Sequence, residues 1–102
     1  MPRTRTENKS PDDHDLSVSV IIPTYGRAAS LADTIEALLA QNMPPVEIIV
    51  VDQNPVGKLK NAVGHALEQT TVVPLATPNV YTARNLGFAK SQGDIILFID
   101  DD

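Results

Sequence analysis

Ser17-Val18-Ser19-Val20-Ile21-Ile22-Pro23 is a short, β-branched run closed by proline, and it reads as a first strand, β1. Two later runs repeat its character. Val46-Glu47-Ile48-Ile49-Val50-Val51-Asp52 reads as β2, and Asp94-Ile95-Ile96-Leu97-Phe98-Ile99 as the fourth strand, β4. All three are nearly continuous in apolar residues instead of alternating, the pattern of strands buried on both faces and therefore of a parallel sheet. Between them, Thr71-Val72-Val73-Pro74-Leu75-Ala76 is a weaker β3. Pro74 lacks a ladder donor, so this strand belongs at an edge.

Helical periodicity fills the gaps. Leu31, Ile35, Leu38 and Leu39 fall on one face of a helix, with Ser30 and Asp33 at capping-box spacing before it and Pro44-Pro45 stopping it. Leu59, Val63, Ala66 and Leu67 make a second stripe, weakened by Gly64. A third helix is expected from about Thr82 to Ser91, with Gly93 as its C-terminal cap. The order β-α-β-α-β-α-β with right-handed crossovers predicts an α/β fold, a doubly wound, mostly parallel sheet with strand order 3-2-1-4.

The 102 residues allow one small domain, and 42% apolar content can build its core. The absence of cysteine excludes a disulfide scaffold, a Cys-ligated zinc site and a thiol nucleophile. Eight basic against thirteen acidic residues argue against nucleic acid as the main partner. Three units of the net charge of −5 sit together at Asp100, Asp101 and Asp102. Residues 1–16 form a polar leader with no apolar signal region and are expected to be disordered, leaving 17–102 as the domain. The longest apolar run is five residues, far below the ~20 of a membrane span. A cytoplasmic location is expected.

In an open parallel sheet, ligands bind beyond the carboxyl ends of the strands. Four polar groups fall there: Pro23-Thr24-Tyr25-Gly26-Arg27 after β1, Asp52-Gln53-Asn54 after β2, Thr77-Pro78-Asn79 after β3, and Asp100-Asp101-Asp102 after β4. With β1 and β4 adjacent, Tyr25 and the aspartates would line one cleft. In extended chain Asp100 and Asp102 project to the same side, and their like charges call for a cation. Carboxylate oxygens suit Mg2+ or Mn2+, completed by substrate phosphates, so the pair fits a metal-bridged diphosphate; alternatively the run is a solvated acidic segment. Asp52 is either an acceptor for a nucleobase N–H or ribose hydroxyl, or a turn initiator before Asn54-Pro55. Tyr25 either stacks on a base or is a turn aromatic, and Arg84 pairs with the acids or the ligand, or forms a surface ion pair. His14 and His65 have no metal-ligand or nucleophile partner at useful spacing. No G-x-G-x-x-G, G-x-x-x-x-G-K-[ST] or G-x-S-x-G motif is present.

Val18-Ser-Val-Ile-Ile-Pro-Thr-Tyr-Gly-Arg27, Val46-Glu-Ile-Ile-Val-Val-Asp52, Ala83-Arg84-Asn85-Leu86-Gly87 and Gly93-Asp-Ile-Ile-Leu-Phe-Ile-Asp-Asp-Asp102, in this order and spacing, resemble the N-terminal half of a family-2 glycosyltransferase. The resemblance implies a Rossmann-like GT-A sheet, here truncated after the fourth strand. It implies inverting, metal-dependent transfer of a sugar from a nucleoside-diphosphate sugar to an acceptor hydroxyl. Pro23, Thr24 and Tyr25 would border the nucleobase and ribose, and Asp52 would hydrogen-bond the base, commonly uracil. Arg84 would sit near the nucleotide and hold the acids. Asp100 and Asp102 would be the D-x-D pair, Asp102 as metal ligand and Asp100 as ribose or metal contact, with Asp101 in either role if the register slips by one, and Mg2+ or Mn2+ as cofactor. Asn79-Val80-Tyr81-Thr82 is shorter than the turn the family often has before its Ala-Arg-Asn. The acceptor-binding half and the catalytic base are expected beyond Asp102, so this chain would hold the donor-binding half. The alternative is a catalytically inactive nucleotide-sugar-binding fragment or interaction module. An exposed β4 edge rich in Ile, Leu and Phe predicts self-association or marginal stability.

Overall fold

A computed structural model of the chain describes residues 16–26 and 28–100. Nearly all of the expected leader lies outside the described residues, as does Asp102. The elements run β1 (Val18–Thr24), α1 (Ala28–Leu39), β2 (Glu47–Asp52), α2 (Lys58–Val63), a 3-10 segment (Gly64–Gln69), β3 (Thr71–Pro74), α3 (Val80–Lys90) and β4 (Ile95–Phe98). The four strands form one sheet in the order β3-β2-β1-β4, every pair parallel. This is the doubly wound order expected from the crossover rule. No helix among the described residues is long and apolar enough to cross a membrane.

Alternation along the strands divides the core in two. Val20, Ile22, Ile48 and Val50 pack with Leu31, Ile35 and Leu38 of α1 and Leu59 of α2 on one face. Ile21, Ile49 and Val51 pack with Ala83 of α3 on the other, joined by half-buried Leu86, Ile96 and Phe98. Full burial of one such aliphatic side chain stabilises by about 1.5–3 kcal/mol. The central strands β1 and β2 therefore hold the sheet, and the edge strand β3, largely exposed, adds little.

Four details depart from the sequence reading, each for a local reason. The second helical stripe is not one helix. Gly64 takes φ 67°, which ends α2 at Val63, and the chain continues as a 3-10 segment. Helix α1 starts at Ala28, so Ser30 lies inside it and does not cap it; the Ser30 carbonyl instead accepts from the Thr34 hydroxyl at 3.0 Å. Helix α3 starts at Val80, because the Asn79 side chain accepts from the backbone N–H groups of Tyr81 and Thr82. Its C-terminal cap is Ser91, and Gly93 has a different task.

That task is at the amino ends of the strands. Gly93 lies so close to β1 that a Cβ there would stand 2.5 Å from Ser19 Oγ and 2.7 Å from Ser19 N. Its N–H donates to Ser19 Oγ at 2.8 Å, while that buried hydroxyl donates to Glu47 Oε2 at 2.6 Å. Glu47 Oε2 also accepts from the Gln92 N–H. Ser17 and Asp94 add reciprocal bonds: Ser17 N–H and Oγ donate to Asp94 Oδ2 at 3.1 Å each, and Asp94 N–H donates to the Ser17 carbonyl at 2.9 Å. The turn before β4 is thus fastened to β1 and β2 by groups that satisfy one another.

Candidate functional site at the carboxyl ends of the strands

Strand register sets the opposite rim. Thr24 pairs with Asp52, and Asp52 with Pro74, so β1, β2 and β3 end at one level. On β4 the Ile99 N–H still donates to the Ile21 carbonyl at 3.0 Å, and Asp100 follows directly. Segments spread over some eighty residues therefore meet along one edge.

Three amide side chains lock the loops of this rim. Asp52 Oδ1 accepts from the Asn54 backbone N–H at 2.9 Å and from Asn54 Nδ2 at 3.0 Å, an Asx turn. Asn54 Oδ1 in turn accepts from the Gly26 N–H at 2.7 Å, tying the loop after β2 to the loop after β1. Gln53 is buried; its N–H donates to the Thr24 carbonyl at 3.0 Å and its Oε1 accepts from the Asn79 N–H at 2.8 Å. Asn79 is the residue that caps α3. Gln53 and Asn79 had no assigned role in the sequence. The signal for Asn79 was available in its N-cap residue type three positions before Thr82, whereas the burial of Gln53 needs the assembled sheet.

Arg84 and Asp100 meet across the β1–β4 side. Arg84 Nη2 donates to both Asp100 oxygens, at 3.0 and 3.3 Å, with 38% and 57% of the two side-chain surfaces exposed. The guanidinium also stands 5.9 Å from the Phe98 ring centroid. An ion pair this open is worth about 0–1 kcal/mol, so fold stability does not explain it. Among the described residues, two polar atoms near the rim are buried without a hydrogen-bond partner: Arg84 Nε and Thr24 Oγ1. Such atoms are uncommon and mark places where a further group is accommodated or where strain is held.

The residues expected to bind are thus distributed as follows. Tyr25 is 60% exposed at the rim and Asp52 half-buried beside it. Pro23 and Thr24 are buried within β1. Arg84 and Asp100 are in contact, and Asp102 lies outside the described residues. No group of three or more His, Cys, Asp or Glu side chains able to hold a metal occurs among the described residues. Asp100 offers hard carboxylate oxygens of the kind Mg2+ and Mn2+ take, but within the described residues both face Arg84. His65 pairs with Glu68 at 3.3 Å on the surface. Two clefts open beside the turn after β2. One of about 740 Å³ is lined by Asp52, Leu59, Lys60, His65 and Val72, and one of about 370 Å³ by Tyr25, Gly26, Asn54, Lys58 and Leu59.

The same architecture recurs in known proteins. The chain is 29% identical over 85 residues to a glycosyltransferase of Haemophilus influenzae, covering 83% of this chain and 29% of that protein. It superposes on a Pyrobaculum calidifontis mannosyltransferase solved with GDP-Man and Mn2+ at TM-score 0.74 and 25% identity, over 85% of this chain and 28% of that one. It superposes on the glucosyl-3-phosphoglycerate synthase of Mycobacterium tuberculosis, solved with Mn2+ and UDP, at TM-score 0.70 and 21% identity, over 88% and 35% of the two chains. The chain spans about a third of the length of the curated relatives it matches. With residues 19–102 matching the profile of Glycosyl transferase family 2, over a sheet with the strand order that the sequence predicts, the chain belongs to that family.

Proposed function

We propose that the carboxyl rim binds the nucleoside diphosphate of a sugar donor, and that the protein transfers this sugar to an acceptor hydroxyl with inversion, using Mg2+ or Mn2+. The observation that carries the reading is the Arg84–Asp100 pair, made through Nη2 at the carboxyl edge beside β1, with the buried guanidinium Nε unpartnered among the described residues. The two solved structures it superposes on hold GDP-Man or UDP together with Mn2+, which supports the same chemistry here.

In this reading Tyr25 covers the base, Asp52 accepts a hydrogen bond from it, and Pro23 and Thr24 form the wall behind the base and ribose. Arg84 holds Asp100 in place and adds positive charge beside the diphosphate. Asp100 meets the ribose or the metal, and Asp102 is the metal ligand. The bound cation supplies Lewis-acid neutralisation of the leaving diphosphate. In this reading none of the rim residues named here takes the acceptor's proton, and that role is left to a general base outside the donor site. The 102 residues then bind donor without transferring sugar.

The test is calorimetric titration of the chain with UDP-, GDP- and dTDP-sugars, with and without Mn2+. Metal-dependent binding that disappears in Asp102→Ala is expected. Absence of binding to every donor, with and without metal, would sink the reading.

A further inference from the structure

Asp52 does not present a symmetric carboxylate. A carboxylate offers about four lone-pair sites, two on each oxygen. Both sites of Oδ1 are filled by the Asn54 backbone N–H and Nδ2, at 2.9 and 3.0 Å. Among the described residues Oδ2 accepts nothing, and Asp52 borders the 740 Å³ cleft. The Asn54 amide cannot flip without loss, because its Oδ1 accepts from the Gly26 N–H at 2.7 Å. A flip would set its NH2 against that donor and its carbonyl oxygen against the Asp52 carboxylate. Asp52 is thereby held with one oxygen saturated and one oxygen available.

Nucleobases differ in what they bring to such a group. Uracil and thymine present one N–H flanked by two carbonyl oxygens. Guanine presents N1–H and N2–H side by side, a pair that a carboxylate meets best with both oxygens at once. We propose that Asn54 is a specificity-determining residue: by saturating Oδ1 it makes Asp52 select a base with a single N–H donor, uracil or thymine, over guanine. The inference rests on the proposed donor site, with Asp52 meeting the base.

The experiment titrates the 102-residue chain and two variants with UDP, dTDP, GDP and CDP in the presence of Mn2+. Wild type is expected to favour UDP and dTDP over GDP by about tenfold, the scale of one matched base contact. Asn54→Ala keeps the backbone N–H but frees one site on Oδ1, and is expected to narrow that ratio about fivefold or more. Asp52→Asn reads the same asymmetry independently of how well Asn54→Ala folds. Its carbonyl oxygen takes the Asn54 donors, its NH2 takes the outward position, and CDP, whose base offers an acceptor nitrogen, is expected to overtake UDP. Wild type favouring GDP, an unchanged ratio in folded Asn54→Ala, or no gain of CDP over UDP in Asp52→Asn overturns the proposal. Wild type binding none of the four nucleotides overturns the donor-site reading itself.

Discussion

The two ends of this sheet treat their polar groups differently. At the amino ends, Ser17, Ser19, Glu47, Gly93 and Asp94 close on one another, and the buried Ser19 hydroxyl both donates and accepts. At the carboxyl ends the bonding is only partly internal. Gln53, Asn54 and Asn79 fasten the loops, yet among the described residues Thr24 Oγ1 and Arg84 Nε are buried without partners and one Asp52 oxygen accepts nothing. A polar cluster that satisfies itself stabilises the fold; one that leaves atoms over has room for something else. The fold needs both ends, but among the described residues it is the carboxyl end that leaves polar atoms unmatched.

Three substitutions would break or sharpen that contrast. The largest effect is expected for Gly93→Ala. Its Cβ would press on Ser19 backbone as well as side chain, and relieving the clash costs the Gly93 N–H bond. A loss of about 2–4 kcal/mol in urea unfolding is expected, with nucleotide affinity per folded molecule unchanged. A stable Gly93→Ala protein with impaired binding would reverse the assignment of the two ends. Next comes Arg84→Met, which keeps much of the packing on Phe98 and removes the charge. Affinity for a nucleoside diphosphate should fall about tenfold while stability moves by less than about 1 kcal/mol. Equal losses of stability and affinity would make Arg84 a fold residue like Ser19. The smallest effect is expected for Thr24→Val. Removing a buried hydroxyl that has no hydrogen-bond partner among the described residues should leave stability unchanged or raise it by up to about 1 kcal/mol. Titration of the same variant then shows whether that hydroxyl is used: weaker binding at unchanged stability assigns it to the ligand.

Much of this was legible from residues 17–100. The apolar runs around Ile21, Ile49 and Ile96 fixed three strands, and Pro74 marked β3 as an edge, because burial on both faces leaves no alternation to misread. Strand ends predicted that Asp100 would lie on this rim, and Arg84, read on the third helix as a partner of the acids or the ligand or as a surface ion pair, does meet it. The second helix was misread because periodicity counts side chains and ignores backbone freedom: Leu59 to Leu67 keep the stripe while Gly64 leaves the helical conformation. Gln53 was illegible for another reason. Its amide bonds to Thr24 and Asn79, partners 29 and 26 residues away, and only the pairing of β2 with β1 on one side and with β3 on the other brings them within reach.

The separation of β4 from its partner has a consequence for the order of events in folding. Strands β1 and β2 are joined by one short crossover, whereas the bonds from Asp94 to Ser17 close a loop of 77 residues. Closing the longer loop costs more chain entropy and depends on a sheet already present to receive the strand. The β1-α1-β2 unit is therefore the natural nucleus, and β4 docks late. Asp100 arrives with β4, so a partly folded chain has Asp52 and Tyr25 in place before it has the Arg84–Asp100 pair. Nucleotide added during refolding should consequently leave the early steps untouched and act only on the last.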